Sequence, residues 1–316
     1  MFAPIRLVTA VAIGVIATAT SNDGSDYAAA DDGSDHVVDD ASETKIQSGD
    51  TIAILGGTWV EQMQRDGNFA ATLHSDLHDA GVQRIAVRNL GWSGDDVHGY
   101  ARKVFGDPAE GTERLMRDIA VARPDVLVIA YGTSEAADAE MSASDYETSL
   151  RRLIQTVDSV RQIYLLPPVS MPGYRVDGYA DRIDQLRRVT RRVADDTTAI
   201  TIDAAIDAGP DQVDSRGLIL NPIGASRVAS LVAASLVGGS KMTDATQSDA
   251  DRISAELRDA VVRSNRQFFY RYRPQNETYL FLFRKHEQGN NAAEVPEFER
   301  WTREADQAVW RRLAKP

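Results

Sequence analysis

Asp125-Val126-Leu127-Val128-Ile129-Ala130-Tyr131 is an aliphatic run with no polar break after its first residue, and Pro124 stops the helical spacing of Leu115, Ile119 and Ala122 just before it. A strand that is apolar on both faces is buried on both faces, as in a parallel sheet covered by helices. Working outward, Thr51-Ile52-Ala53-Ile54-Leu55 is a second such run, closed by Gly56-Gly57. Arg84 to Leu90 alternates as a strand, Gln162 to Leu166 ends at Pro167-Pro168, and Ala199 to Ile202 is short. Helical spacing fills the intervals. Val60, Met63, Phe69, Leu73 and Leu77 share a period, interrupted near Gly67. Ser144 and Glu147 form a capping box ahead of Tyr146, Leu150, Leu153, Ile154 and Val157. An Arg-rich helix is predicted over 179–194, and Asn221-Pro222 supplies an N-cap and N1 proline for a helix through Val228, Leu231, Val232 and Leu236. Strand–helix alternation with short connections predicts a three-layer α/β/α domain of about five parallel strands, with its site at their carboxyl ends.

Around this domain the composition changes. Arg6 ends a short n-region, and the 14 residues Leu7–Thr20 are apolar and uncharged. That is short for the ~30 Å of a bilayer core and suits a signal-peptide h-region, with Ala17-Thr18-Ala19 or Ala28-Ala29-Ala30 as cleavage patterns. An uncleaved anchor is the alternative. Residues 21–50 carry nine acidic residues against one lysine and little to bury, which predicts a disordered acidic spacer. The organisation expected is therefore signal peptide 1–20, spacer 21–50, α/β domain 51–240 and a helical, aromatic-rich extension 241–316, delivering an exported protein with no membrane span after signal cleavage.

The 316 residues hold 47 acidic and 35 basic side chains, a net charge of -12, and no cysteine. Much of that charge sits in the spacer. The acidic balance argues against nucleic-acid binding, because no excess of cations exists to displace phosphate counterions. Without cysteine there are no disulfides, thiolate metal sites or cysteine nucleophiles. His74 and His78 stand at i, i+4 without a His-Glu-x-x-His pattern, so no metal site is expected there, and no cofactor is implied.

The strand ends carry the chemistry. The first ends in Gly56-Gly57-Thr58, the second in Asn89-Leu90-Gly91-Trp92-Ser93-Gly94-Asp95 and the third in Gly132-Thr133-Ser134-Glu135. A later block reads Ser215-Arg216-Gly217-Leu218-Ile219-Leu220-Asn221-Pro222. In this order they resemble the four sequence blocks of the SGNH (GDSL-type) hydrolases, esterases and lipases with a flavodoxin-like sheet, over roughly 51–237. The run Arg273-Pro274-Gln275-Asn276, followed by Arg284-Lys285-His286-Glu287-Gln288-Gly289, resembles the extension of a bacterial exported subgroup. The resemblance implies that Thr58 stands in the nucleophile slot, Gly94 in the oxyanion hole and Ser134 in place of the third block's Asn. Gly57, Arg216 and Ile219 stand where the family keeps an Asp, another Asp and the general-base His. Isoleucine cannot take a proton, so the usual mechanism lacks its base.

Three readings follow. In the first, the cleft binds carbohydrate or an acylated glycan with esterase chemistry lost or weakened. In the second, Thr58 is active with a base recruited from His286 or His98. In the third, the extension makes the chain an interaction module. Trp92 would stack on a sugar or be buried against a helix. Asp95 and Glu135 would pair as acid and base or fix loops. Glu61 would orient a ligand or favour a helix dipole. The Phe268–Arg273 run is read as a docked helix end.

Overall fold

The computed structural model describes residues 46–103, 106–157, 159–239, 252–274, 277–280, 284–287 and 291–314. The signal peptide and nearly all of the acidic spacer lie outside the described residues. Strands β1 (Thr51–Gly56), β2 (Ala86–Asn89), β3 (Val126–Ala130), β4 (Gln162–Leu165) and β5 (Ile200–Thr201) form one sheet in the order β2-β1-β3-β4-β5, every pairing parallel. That is the flavodoxin-like order, with its switch point between β1 and β3. All five residues of β3 are buried, as its apolar run requires.

Helices α1 (Thr58–Gln62), α2 (Asn68–Asp79), α3 (Pro108–Ala122), α4 (Ala143–Thr156), α5 (Tyr179–Asp195) and α6 (Pro222–Leu236) cover the two faces. Ile52, Ile54 and Val128 face a core completed by α2 and α6, whereas Ala53, Leu55 and Ile129 face one completed by α3, α4 and α5. The alternation is the pleat of strands buried on both sides. Asn221 caps α6, its Oδ1 accepting from the Ile223 and Gly224 amides. The cap of α4 is Ser142, which accepts from the Asp145 amide, so the helix starts two residues before the box expected at Ser144.

The folded chain also begins earlier than expected. The Ile46 amide bonds the Leu236 carbonyl, Ile46 is buried, and Asp50 pairs with Arg161. Residues 46–50 thus belong to the sheet's amino-terminal edge, because one isoleucine and one paired aspartate give them something to bury. The described residues, from Ile46 to Ala314, fall within one compact unit. Within it α7 (Ala255–Tyr272) and α8 (Phe298–Leu313) pack together over the edge strand β2. Leu257 and Val261 enter the first core, Phe268 and Tyr272 the second. The extension thus spans both faces at the edge that would otherwise present unpaired backbone. Among the described residues no helix is long and apolar enough to cross a membrane.

Candidate active site

β1 delivers Thr58 to the crevice as the first residue of α1. Its Oγ accepts a hydrogen bond from the Gly94 amide at 2.9 Å. Gly94 lies at φ 77, the left-handed region that favours glycine, and this turn aims its N–H at α1. The loop after β2 reaches α1 because Gly91 has no side chain: a Cβ there would sit 2.3 Å from the Glu61 nitrogen. Asn89 locks the same junction, donating to the Val60 carbonyl at 2.7 Å and accepting from the Gly91 amide at 2.8 Å. The Asn and two Gly of this block are thus its scaffold. Sequence alone marked the block without assigning Asn89 that role.

The carboxylates are committed to structure. Asp95 accepts from Arg102 Nε at 2.8 Å and from the Tyr131 hydroxyl at 2.6 Å. Arg102 also donates to Asp118 at 2.8 Å and to the Leu90 carbonyl at 2.7 Å, and all three charged side chains are fully buried. Burial pushes the carboxyls of Asp95 and Asp118 upward against the pull of Arg102. Each retains a buried Oδ1 with no partner among the described residues. Desolvation is the larger effect at both carboxyls, so they resist ionisation although Arg102 donates to each. Glu135 accepts from the amides of Val97 at 3.0 Å and Gly132 at 2.8 Å, and from the Ser134 hydroxyl at 3.1 Å. Burial pushes its carboxyl up to about 7. That value suits acid–base work, but its oxygens face the loops they tie together. The structure joins Asp95 and Glu135 to separate partners, not to each other as an acid–base pair.

Trp92 has no open face. Its ring lies beneath the guanidiniums of Arg273, Arg114 and Arg102, 3.5, 4.8 and 5.1 Å from the centroid, and 8% of the residue is exposed. Sugar stacking on it is therefore closed off, because the extension occupies the place a ring would take. Arg273 also pairs with Glu61 at 3.0 Å, and Glu61 accepts from the Ser93 hydroxyl. Glu61 thereby anchors the extension to the mouth of the crevice. Its position after Thr58 was legible in the sequence; its partner 212 residues away was not.

The two recruited-base histidines lie elsewhere. His98 Nδ1 is hydrogen-bonded to Ser149 Oγ of α4 at 2.8 Å, and its ring stacks on Tyr100. His286 is exposed on the turn 284–287. Among the described residues neither is hydrogen-bonded to Thr58. The last block folds as a tight loop. The Asp214 carboxylate accepts from the Leu218 and Ile219 amides and pairs with exposed Arg216 at 3.0 Å. So among the described residues Thr58 Oγ is hydrogen-bonded to the Gly94 amide and to no base. A hydroxyl without one is a weak nucleophile at neutral pH. Ser134, bonded to Glu135, spends its proton there and not on an oxyanion.

No protein-family model matches the sequence, and a search of curated proteins finds no match. Solved structures with a similar chain path include a lipase/acylhydrolase from Enterococcus faecalis, at 20% identity and a TM-score of 0.48, covering 61% of this chain and 98% of that one. An alpha/beta hydrolase from the metagenome of Lake Arreo aligns at 20% identity and 0.47, over 61% and 99% of the two chains. The acetylxylan esterase of Geobacillus stearothermophilus aligns at 18% identity and 0.47, over 61% and 96%. Likenesses of this size carry no inference about activity, and the fold stands on its own sheet order and register.

Proposed function

We propose that this chain is an exported SGNH/GDSL-like protein whose crevice binds a carbohydrate or acylated glycan and does not hydrolyse esters by a Ser–His mechanism. The observation that carries this reading is the surroundings of Thr58 Oγ: one hydrogen bond, accepted from Gly94, and no imidazole or carboxylate joined to it among the described residues. Thr58 and Ser134 are half-buried and Ser93 is exposed at the crevice. Short hydroxyl side chains of this kind exchange hydrogen bonds with sugar hydroxyls or an ester carbonyl. Export rests on the Leu7–Thr20 run and the A-x-A patterns at its end and after it.

The test has two arms. Purified protein is assayed on short p-nitrophenyl acyl esters, where hydrolysis should equal that of Thr58→Ala. Turnover that disappears in Thr58→Ala would overturn the non-hydrolytic reading. Calorimetric titration with acetylated xylo-oligosaccharides should give saturable heat, and its absence across neutral and acetylated oligosaccharides would remove the glycan.

A further inference from the structure

The imidazole that does not reach Thr58 has a setting of its own. The His98 amide is held by Asp96 Oδ1 at 2.9 Å, its ring stacks on Tyr100 with centroids 4.8 Å apart, and Nδ1 meets Ser149 Oγ at 2.8 Å. With the ring fixed on two sides, Nε2 has no protein partner among the described residues. When the serine hydroxyl donates to Nδ1, the proton of the neutral ring is on Nε2, a donor. His98 lines a cavity of about 190 Å³ between α3 and α4. Arg152 stands at the same cavity. Arg151, next to it in sequence, is engaged by Glu147, as is Arg192 of α5, whereas Arg152 makes no ion pair among the described residues. Leu115, Met116 and Leu153 form the apolar wall, and no acidic side chain lines the cavity.

We propose that this cavity is a second binding site, separate from the Thr58 crevice, for a short aliphatic carboxylate. Arg152 and His98 Nε2 grip the carboxylate, Ser149 sets the imidazole, and the alkyl chain lies along Leu115, Met116 and Leu153. A guanidinium and an N–H donor, in a cavity whose lining holds no acidic side chain, select an anion over a cation, the Asp96 carboxylate being engaged by the His98 amide. The apolar wall selects a body that acetate lacks. A cavity of ~150 Å³ takes benzene, so this one suits a chain of roughly six carbons.

The experiment is calorimetric titration of the full chain with hexanoate, 1-hexanol, hexylamine and benzoate, alongside imidazole NMR of His98. Hexanoate should bind one to one and shift the His98 resonances, while hexylamine should not bind. Arg152 is exposed and makes no ion pair among the described residues, so Arg152→Glu keeps the fold and should weaken hexanoate about tenfold or more. His98→Gln should weaken it as well. No saturable hexanoate binding, equal affinity for 1-hexanol, or insensitivity to Arg152→Glu would each overturn the proposal. Benzoate binding more tightly than hexanoate would overturn the aliphatic assignment. Thr58→Ala should leave hexanoate affinity unchanged, so the glycan reading can fail without this one.

Discussion

A threonine hydroxyl in a nucleophile's slot is only as reactive as the groups that can take its proton. Thr58→Ser removes the crowding methyl and restores the residue expected by the resemblance, yet it supplies no base. Ester hydrolysis by Thr58→Ser should therefore stay at the level of Thr58→Ala, measured with p-nitrophenyl acetate. Reinstating an acid one residue earlier is harder still, because a Cβ at Gly57 would lie 2.8 Å from the Asp95 carbonyl. Both losses were legible, since Ile219 and Gly57 are readable letter by letter. The unlegible part was what replaced them: the Glu135 clasp on Val97 joins residues 38 apart through a backbone amide that no motif encodes. His74 tests the electrostatics at this scale. Burial lowers its pKa from 6.5 to about 4, with Asp306 opposing and Arg88 adding, and Nδ1 has no partner among the described residues. A pKa below the unfolded value means the stabilisation is complete above pH 6.5 and is lost as pH falls toward 4. Between those limits the wild type should lose about 3 kcal/mol more unfolding free energy than His74→Leu, read from urea titrations at each pH.

At the scale of elements, the decisive join is between the edge strand and the extension. Arg88 of β2 grips Asp306 of α8 through two hydrogen bonds, 3.0 and 2.5 Å, and Ser264 of α7 donates to the same carboxylate at 2.6 Å. The Arg88 guanidinium also lies 5.2 Å from the Phe268 ring centroid. Asp306→Leu leaves a buried guanidinium without its counter-ion and should cost about 3–5 kcal/mol of unfolding free energy. Arg88→Met in the same chain should recover part of that loss, because desolvating no charge is better than desolvating one alone. A double variant less stable than Asp306→Leu would show that the pair is not the joint. The strands and the helices between them were legible because burial on two faces writes continuous apolar runs. Arg88 was not, since a charge inside an alternating strand reads as its solvent side until a second element is known to cover it. For Trp92, aromatic and at a strand end, the sequence left sugar stacking and burial both open, and what covers it, Arg273, is remote in sequence.

At the scale of the molecule, the extension is part of the fold and not an appendage to it. Leu257, Val261, Phe268, Tyr272 and Val309 are buried in cores that also hold the sheet, and the Trp310 indole donates to the Ile85 carbonyl at 2.7 Å beside β2. A chain ending at residue 264 loses Phe268, Tyr272 and Val309 of these, which at ~2 kcal/mol for each large side chain forfeits roughly 6 kcal/mol. That is comparable with the whole stability of an ordinary domain, about 5–15 kcal/mol. Deletion also bares the edge of β2, a surface that pairs with other chains when uncovered. A chain ending at residue 264 should therefore lack a cooperative thermal transition by circular dichroism and elute as aggregate in gel filtration. Its Trp92 should become accessible to quenching by iodide, because Arg273 no longer covers the ring. A soluble monomer of the truncated chain with a sharp transition would instead return the extension to the role of an independent interaction module, for which buried Phe268 and Tyr272 leave little surface to offer.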